Sequence, residues 1–152
     1  MKHLLIRFLL ILIAALLAGT SFGLWMGIKP EQYSQSAYLE LQRNLVQSLN
    51  TLMISLVILA FILSLLDGYF SRKQKINAIC LFISAACFLA CILISRFGNT
   101  PIQLQIFEWK AETLPDNWTH LRDQWWLLHK LRTLCELIAL VLISWITVFK
   151  SN

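Results

Sequence analysis

Apolar and polar positions alternate in long blocks along this chain, and the blocks predict its elements. Residues 8–28 carry no charge. At about 1.5 Å of rise per residue, some twenty such positions cross the roughly 30 Å hydrocarbon core of a bilayer. A second apolar block runs from about Leu49 to Phe70, with Asp67 near its end. A third, again uncharged, runs from Ile76 to Ser95, and a fourth from about Trp125 to Phe149. The expectation is an all-α, membrane-embedded four-helix bundle occupying residues 1–152 as one domain, with helices at about 5–28, 42–70, 76–96 and 117–149. The first block follows Lys2, His3 and Arg7 and contains the small triplet Ala18-Gly19-Thr20. Its length exceeds the 7–15 apolar residues of a signal sequence, so it is read as a retained helix.

The polar blocks refine this picture. Some five residues separate the second and third helices, which makes them an antiparallel hairpin. Within 29–48, Tyr38, Leu41, Leu45 and Leu49 recur at three- and four-residue spacing, the signature of a helical extension of the second helix, with Pro30 at its start. The segment 96–124 leaves the third helix at Arg96 and is expected to break at Gly98 and Pro101. After Pro115, Asp116 is the expected N-cap of the last helix. Ala15, Gly19 and Gly23 form a small-residue stripe on the first helix, which predicts close approach of another helix.

Composition agrees with a membrane protein. Of 152 residues 58% are hydrophobic and 14% charged, against about half and a quarter in soluble domains; the mean hydropathy is +0.67. Lys2, Arg7 and Lys150, with Arg72, Lys73 and Lys75 in the tight loop, place both termini and the 71–75 loop in the cytoplasm. The expected location is the inner membrane of a bacterium, crossed several times. The opposite side holds Lys29, Arg43, Arg96, Lys110, Arg122, Lys130 and Arg132, spread among six carboxylates. The net charge of +5 is thereby explained without nucleic acid, for which no basic stripe interleaved with aromatics exists. Cys80, Cys87 and Cys91 share one helix face and Cys135 lies in the last helix. With no Cys-x-x-Cys and no zinc spacing they read as packing residues, and no metal site is expected. A haem would need two axial histidines from facing helices, and a coupled transporter a carboxylate in the first or third helix; neither pattern is present.

Candidate chemistry gathers on the last helix. With about 100° per residue, Arg122, Trp125, Trp126, His129, Arg132, Thr133 and Glu136 share an arc of about 120° on an otherwise leucine-rich helix. Lys130, at the edge, reaches the headgroups. Such a stripe must face protein or a water-filled cavity, because an arginine at bilayer depth costs at least about 2.5 kcal/mol. It has two readings. In one, Arg132 pairs with Glu136 at i, i+4 and the stripe fixes helix register. In the other, His129 accepts a proton and Arg132 stabilises the resulting anion. Five of the six tryptophans (Trp25, Trp109, Trp118, Trp125 and Trp126, against Trp145) fall on the same side of the membrane. They form an interfacial belt, alone or together with the wall of a site for flat apolar molecules.

Gly98-Asn99-Thr100-Pro101-Ile102, then Trp118, then Trp125, His129, Arg132 and Thr133, resemble the anthrone oxygenase-like family of four-pass integral membrane proteins. The glycine-bearing first helix, Pro30, Gln42 and Asn50 fit the same pattern. Bacterial members of that family are largely of unknown function. One departure is Gln103, where the family usually carries asparagine. The resemblance implies oxidation of anthrones to anthraquinones by O2 with no cofactor. It implies His129, Arg132 and Asn99 as catalytic residues and Trp125, Trp126, Trp118, Gln103, Arg96 and Glu136 as substrate-binding ones. The expected function is a cofactor-independent oxygenase or proton-abstracting enzyme acting on a hydrophobic cyclic substrate at the outer-leaflet end of the bundle. The alternative is a non-catalytic membrane protein that binds a lipid or small hydrophobic molecule, or serves as a partner subunit. Expected partners are the membrane, a hydrophobic small molecule or lipid, and a second copy of the chain.

Overall fold

The computed structural model describes residues 2–149, with side chains from residue 4 onward; the charge of Lys2 and Lys150 in the orientation argument lies outside the described side chains. The elements are α1 (Lys2–Gly27), a 3₁₀ turn (Pro30–Gln32), α2 (Gln35–Phe70), α3 (Lys75–Leu93), a π-helical segment (Ile94–Asn99), α4 (Thr100–Glu108) and α5 (Trp118–Phe149). No strand occurs among the described residues. Four spans are long and apolar enough to cross a membrane: residues 4–32, 35–70, 75–108 and 118–149. They form an up-and-down bundle. Its outer surface is apolar, with Leu12, Leu16, Ile62, Leu66, Ile83 and Val141 among many exposed large side chains. Its interior holds Ser21, Gln42, Asp67, Asn77, Asn99, His129 and Glu136. That inversion is the arrangement lipid imposes, since polar groups must find partners inside the protein.

α2 begins at Gln35, where the Ser34 hydroxyl accepts the Ala37 N–H at 3.3 Å. Its 36 residues span roughly 54 Å at 1.5 Å per residue, well beyond a bilayer core. The periodic segment around Tyr38 to Leu49 is therefore one helix with the span. The Arg43 guanidinium reaches from it to the carbonyls of Ile106, Phe107 and Trp109. It thereby supplies donors to the C-terminal end of α4, where helix carbonyls lack partners.

The expected break at Gly98 and Pro101 does not occur. The chain stays helical through both, because the turn widens first. The Thr100 N–H reaches back five residues to Ser95 O, and the Thr100 hydroxyl donates to the same oxygen at 2.8 Å. Pro101 then falls in the first turn of α4, where its missing N–H costs nothing. Gly98 has a packing reason: a Cβ there would sit 2.8 Å from Leu128 Cδ1, so the glycine lets α5 approach. At the other end of α4, α5 starts at Trp118, and the cap position belongs to Asn117, whose carbonyl accepts the Leu121 N–H; Asp116 lies one residue earlier.

The small stripe of α1 also differs from expectation. Ala15, Gly19 and Gly23 are exposed, and nothing lies within 4 Å of a Cβ added at either glycine. α1 packs instead through Leu10, Ile13, Ala14, Leu17, Ala18 and Ser21, a face that buries more apolar area. The four cysteines are free and all contribute to one apolar core or its margin, as packing residues.

Two apolar clusters stabilise the bundle. One surrounds Leu10, Leu17, Val57, Leu81, Phe88, Ile143 and Ile146. The other, toward α4, joins Tyr38, Leu39, Ile102, Ile106, Trp109, Trp125 and Trp126. At the end carrying the α2–α3 turn, Arg7 Nε donates to the fully buried Asp67 at 2.9 Å, and Arg7 Nη2 to Ser71 Oγ at 3.1 Å, fixing α1 to α2. The stretch His129 to Glu136 falls between the two clusters in the register of α5.

Candidate functional site

A cavity of about 310 Å³ opens between the two apolar clusters, at the lower end of the size of small-molecule sites. α2 supplies one wall with Leu45, Leu49, Asn50, Met53, Ile54 and Val57. The π-helical segment and the start of α4 supply another with Ser95, Arg96, Asn99, Thr100 and Gln103, and α5 the floor with Trp125, Trp126, His129, Arg132 and Glu136. Asn50, Ile54, Ile58 and Arg96 are exposed as well as lining. The mouth therefore faces sideways, between α2 and the π-helical segment.

Of the residues expected at a site, the structure brings together His129, Arg132, Asn99, Trp125, Trp126, Gln103, Arg96 and Glu136. It does not bring Trp118, which packs on the Tyr38 ring at 6.1 Å and under the Arg122 guanidinium at 5.2 Å. Arg122 itself pairs with its neighbour Asp123 at 2.8 Å. The buried Thr133 hydroxyl is satisfied within its own helix by His129 O at 2.9 Å. Asn50 fits the family pattern only, and no residue of the α2 wall is among those expected at the site. Its apolar residues carry no signal that separates cavity lining from lipid contact.

Arg132 organises the floor. Its Nη1 donates to Ser95 Oγ at 3.1 Å, its Nη2 contacts His129 Nδ1 at 3.2 Å, and its Nε lies 3.7 Å from Glu136 Oε1. A guanidinium only donates, so His129 Nδ1 is the acceptor. The ring proton then sits on Nε2, which donates to the Ser21 carbonyl at 3.1 Å. The imidazole is sandwiched as well as hydrogen-bonded: Trp125 stacks on it at 5.7 Å and 7°, and Trp126 meets it edge-on at 5.4 Å. Asn99 donates to Trp125 O at 3.0 Å, so the wide π turn holds the tryptophan's helix turn in place. His129 and Glu136 are each only 1% exposed.

Several buried polar atoms in this wall make no hydrogen bond: Asn99 Oδ1, Trp125 Nε1, Arg132 Nε and Glu136 Oε2. Buried groups of this kind are nearly always satisfied in a closed interior. Here all four belong to residues that line the cavity. Chemically the floor offers a fixed cation, two hydrogen-bond donors, an anion and an aromatic surface. Among the described residues no group of three or more His, Cys, Asp or Glu is placed to hold a metal ion.

A family model described as anthrone oxygenase matches residues 43–142, from the start of the α2 wall to well past Glu136. No curated protein and no solved structure matches the chain. With 100 of its 152 residues inside that match, and with four membrane-spanning helices, the chain belongs to the anthrone oxygenase family.

Proposed function

We propose that this integral membrane protein is a cofactor-independent oxygenase that converts a flat, anthrone-like cyclic ketone to the corresponding quinone. The observation that carries the reading is the cavity floor. A guanidinium lies beside stacked aromatic rings, in a pocket between the helices large enough for a small molecule. The chemistry follows from the substrate class. A methylene flanked by aromatic rings and conjugated to a carbonyl loses a proton to give an enolate. Its electron pair passes to O2 one electron at a time, as triplet oxygen requires, and a carbon–oxygen bond forms. Loss of the second methylene hydrogen with cleavage of the O–O bond leaves the new carbonyl, and the other oxygen atom departs as water.

In this proposal Arg132 holds the enolate oxygen, where charge develops; removing one such donor costs about 10²–10³ in kcat. His129 aims the guanidinium, Trp125 and Trp126 support the ring system, and Asn99 Oδ1 and Gln103 set its orientation. The site lies at the outer-leaflet end of the bundle, with both termini in the cytoplasm of a bacterial cell. The test is oxygen uptake with anthrone by the protein in lipid nanodiscs, with product followed by its quinone absorbance. The expected result is one O2 consumed per quinone formed, faster than spontaneous oxidation, and lost in Arg132→Met. Uptake no faster than in empty nanodiscs overturns it.

The contacts of Arg132 to Ser95, His129 and Glu136 favour one second reading, a non-catalytic binder of a lipid or hydrophobic small molecule whose polar floor only fixes helix register. It predicts saturable quenching of tryptophan fluorescence by anthraquinone without any turnover.

A further inference from the structure

The histidine has no free lone pair. Its Nδ1 accepts from Arg132 and its Nε2–H donates to Ser21 O. Neither partner can exchange roles, because a guanidinium cannot accept and a carbonyl cannot donate. Protonating Nδ1 requires breaking the Arg132 contact and places a second cation against the first. The carboxylate one turn deeper is differently placed. Glu136 lines the same cavity. Its Oε1 is 3.7 Å from Arg132 Nε, too long for a hydrogen bond, and its Oε2 accepts none at all. The buried Ser21 hydroxyl is its polar neighbour on α1. Glu136 therefore brings a carboxylate without a short ion pair to the cavity wall, within one helical turn of the cation.

We infer that Glu136 is the catalytic base of the oxygenation proposed above, taking the methylene proton while Arg132 receives the charge on the carbonyl oxygen. The inference rests on that reading. Carbonyl oxygen and methylene carbon lie across one six-membered ring, and a donor and an acceptor on successive turns of one helix, both lining the cavity, can serve the two ends. The proton balance closes on a single carboxylate. Glu136 takes the first methylene proton, and the enolate carbon bonds to O2 to give a peroxide anion. The carboxylic acid returns its proton to that anion, forming the hydroperoxide. The regenerated carboxylate then takes the remaining hydrogen at the same carbon as the O–O bond breaks. The C=O forms, hydroxide leaves, and Glu136 gives up the second proton to make water.

The first step needs no oxygen, which separates the two claims experimentally. In nanodiscs under anaerobic D2O, the wild-type protein is expected to exchange the anthrone methylene hydrogens faster than the uncatalysed reaction. Glu136→Gln, which keeps size and polarity, is expected to slow exchange and aerobic turnover by about 10²–10⁴-fold, the range of a general base. Its binding of anthraquinone, read by tryptophan quenching, is expected to stay within about threefold, which together with its melting curve shows that the site still folds. Glu136→Asp retains a carboxylate and part of the exchange, and His129→Gln continues to exchange at a reduced rate. Exchange by Glu136→Gln at the wild-type rate, or exchange abolished in His129→Gln but not in Glu136→Gln, overturns the assignment and leaves the oxygenase intact. Exchange without oxygen uptake by the wild type supports the base and overturns the oxygenase. A wild type that does neither overturns both.

Discussion

Replacing Arg132 by methionine removes the guanidinium from three partners at once and leaves the Glu136 carboxylate alone. The pair lies 3.7 Å apart, with side-chain exposures of 19% and 2%. At an effective dielectric of about 20 the attraction at that separation is roughly 4–5 kcal/mol. Removing one member of a buried pair costs about 3–5 kcal/mol, chiefly because the other charge stays buried. Glu136 is almost fully buried, which puts the expected loss for Arg132→Met at about 3–5 kcal/mol. Arg132→Met combined with Glu136→Gln removes both charges and is expected to recover more than half of the loss, as a double-mutant cycle reads it. Turnover does not recover in the double variant, because the group that receives the enolate charge is still missing. The assay is equilibrium unfolding in mixed micelles, run beside oxygen uptake on the same preparations. A double variant no more stable than Arg132→Met refutes the reasoning, since the carboxylate is then not held by the arginine.

Three other perturbations probe the frame and the entrance. Asp67→Ala strands the Arg7 guanidinium at the α2–α3 turn end and is expected to cost about 3–5 kcal/mol, measured by the same unfolding assay, with quinone binding unchanged in the fraction that stays folded. Arg43→Ala removes the donor shared by three carbonyls at the end of α4; the expected loss is about 1.5–3 kcal/mol, as for hydrogen bonds to a charged group, with faster proteolysis in the 109–117 connection. Ile54→Trp narrows the mouth at a position that is 42% exposed, so stability should change by less than about 0.5 kcal/mol, while KM for anthrone rises and kcat holds. Equal KM values would place the entrance elsewhere.

Much of the bundle was legible because apolar blocks of spanning length have few alternatives in lipid. The polar stripe of α5 was legible for a related reason: seven unusual side chains on one arc need a common destination. What a helical wheel discards is distance along the axis. Trp118 falls on the same arc as His129 but eleven residues away, about 16 Å at 1.5 Å per residue, which puts it in the Tyr38 and Arg122 contact instead of the cavity. Gly98 and Pro101 are breakers by local preference. Only the widened turn beneath them and the closeness of Leu128 reveal why the helix continues. Small residues at Ala15, Gly19 and Gly23 permit close packing without requiring it, and the larger side chains on the neighbouring face of α1 won the contact. The α2 wall was hidden because leucine, isoleucine and valine serve equally against lipid, a core or a ligand.

The sideways mouth beside Ile54 and Ile58 sets how this protein experiences concentration. On the proposed function, a substrate reaching the floor through that opening comes from the bilayer, so the quantity that fills the site is its mole fraction among lipids. Adding lipid at fixed total substrate dilutes it, and adding water barely does. Half-saturation expressed per litre of buffer will therefore drift with the amount of membrane in the assay, and will become constant only when expressed per mole of lipid.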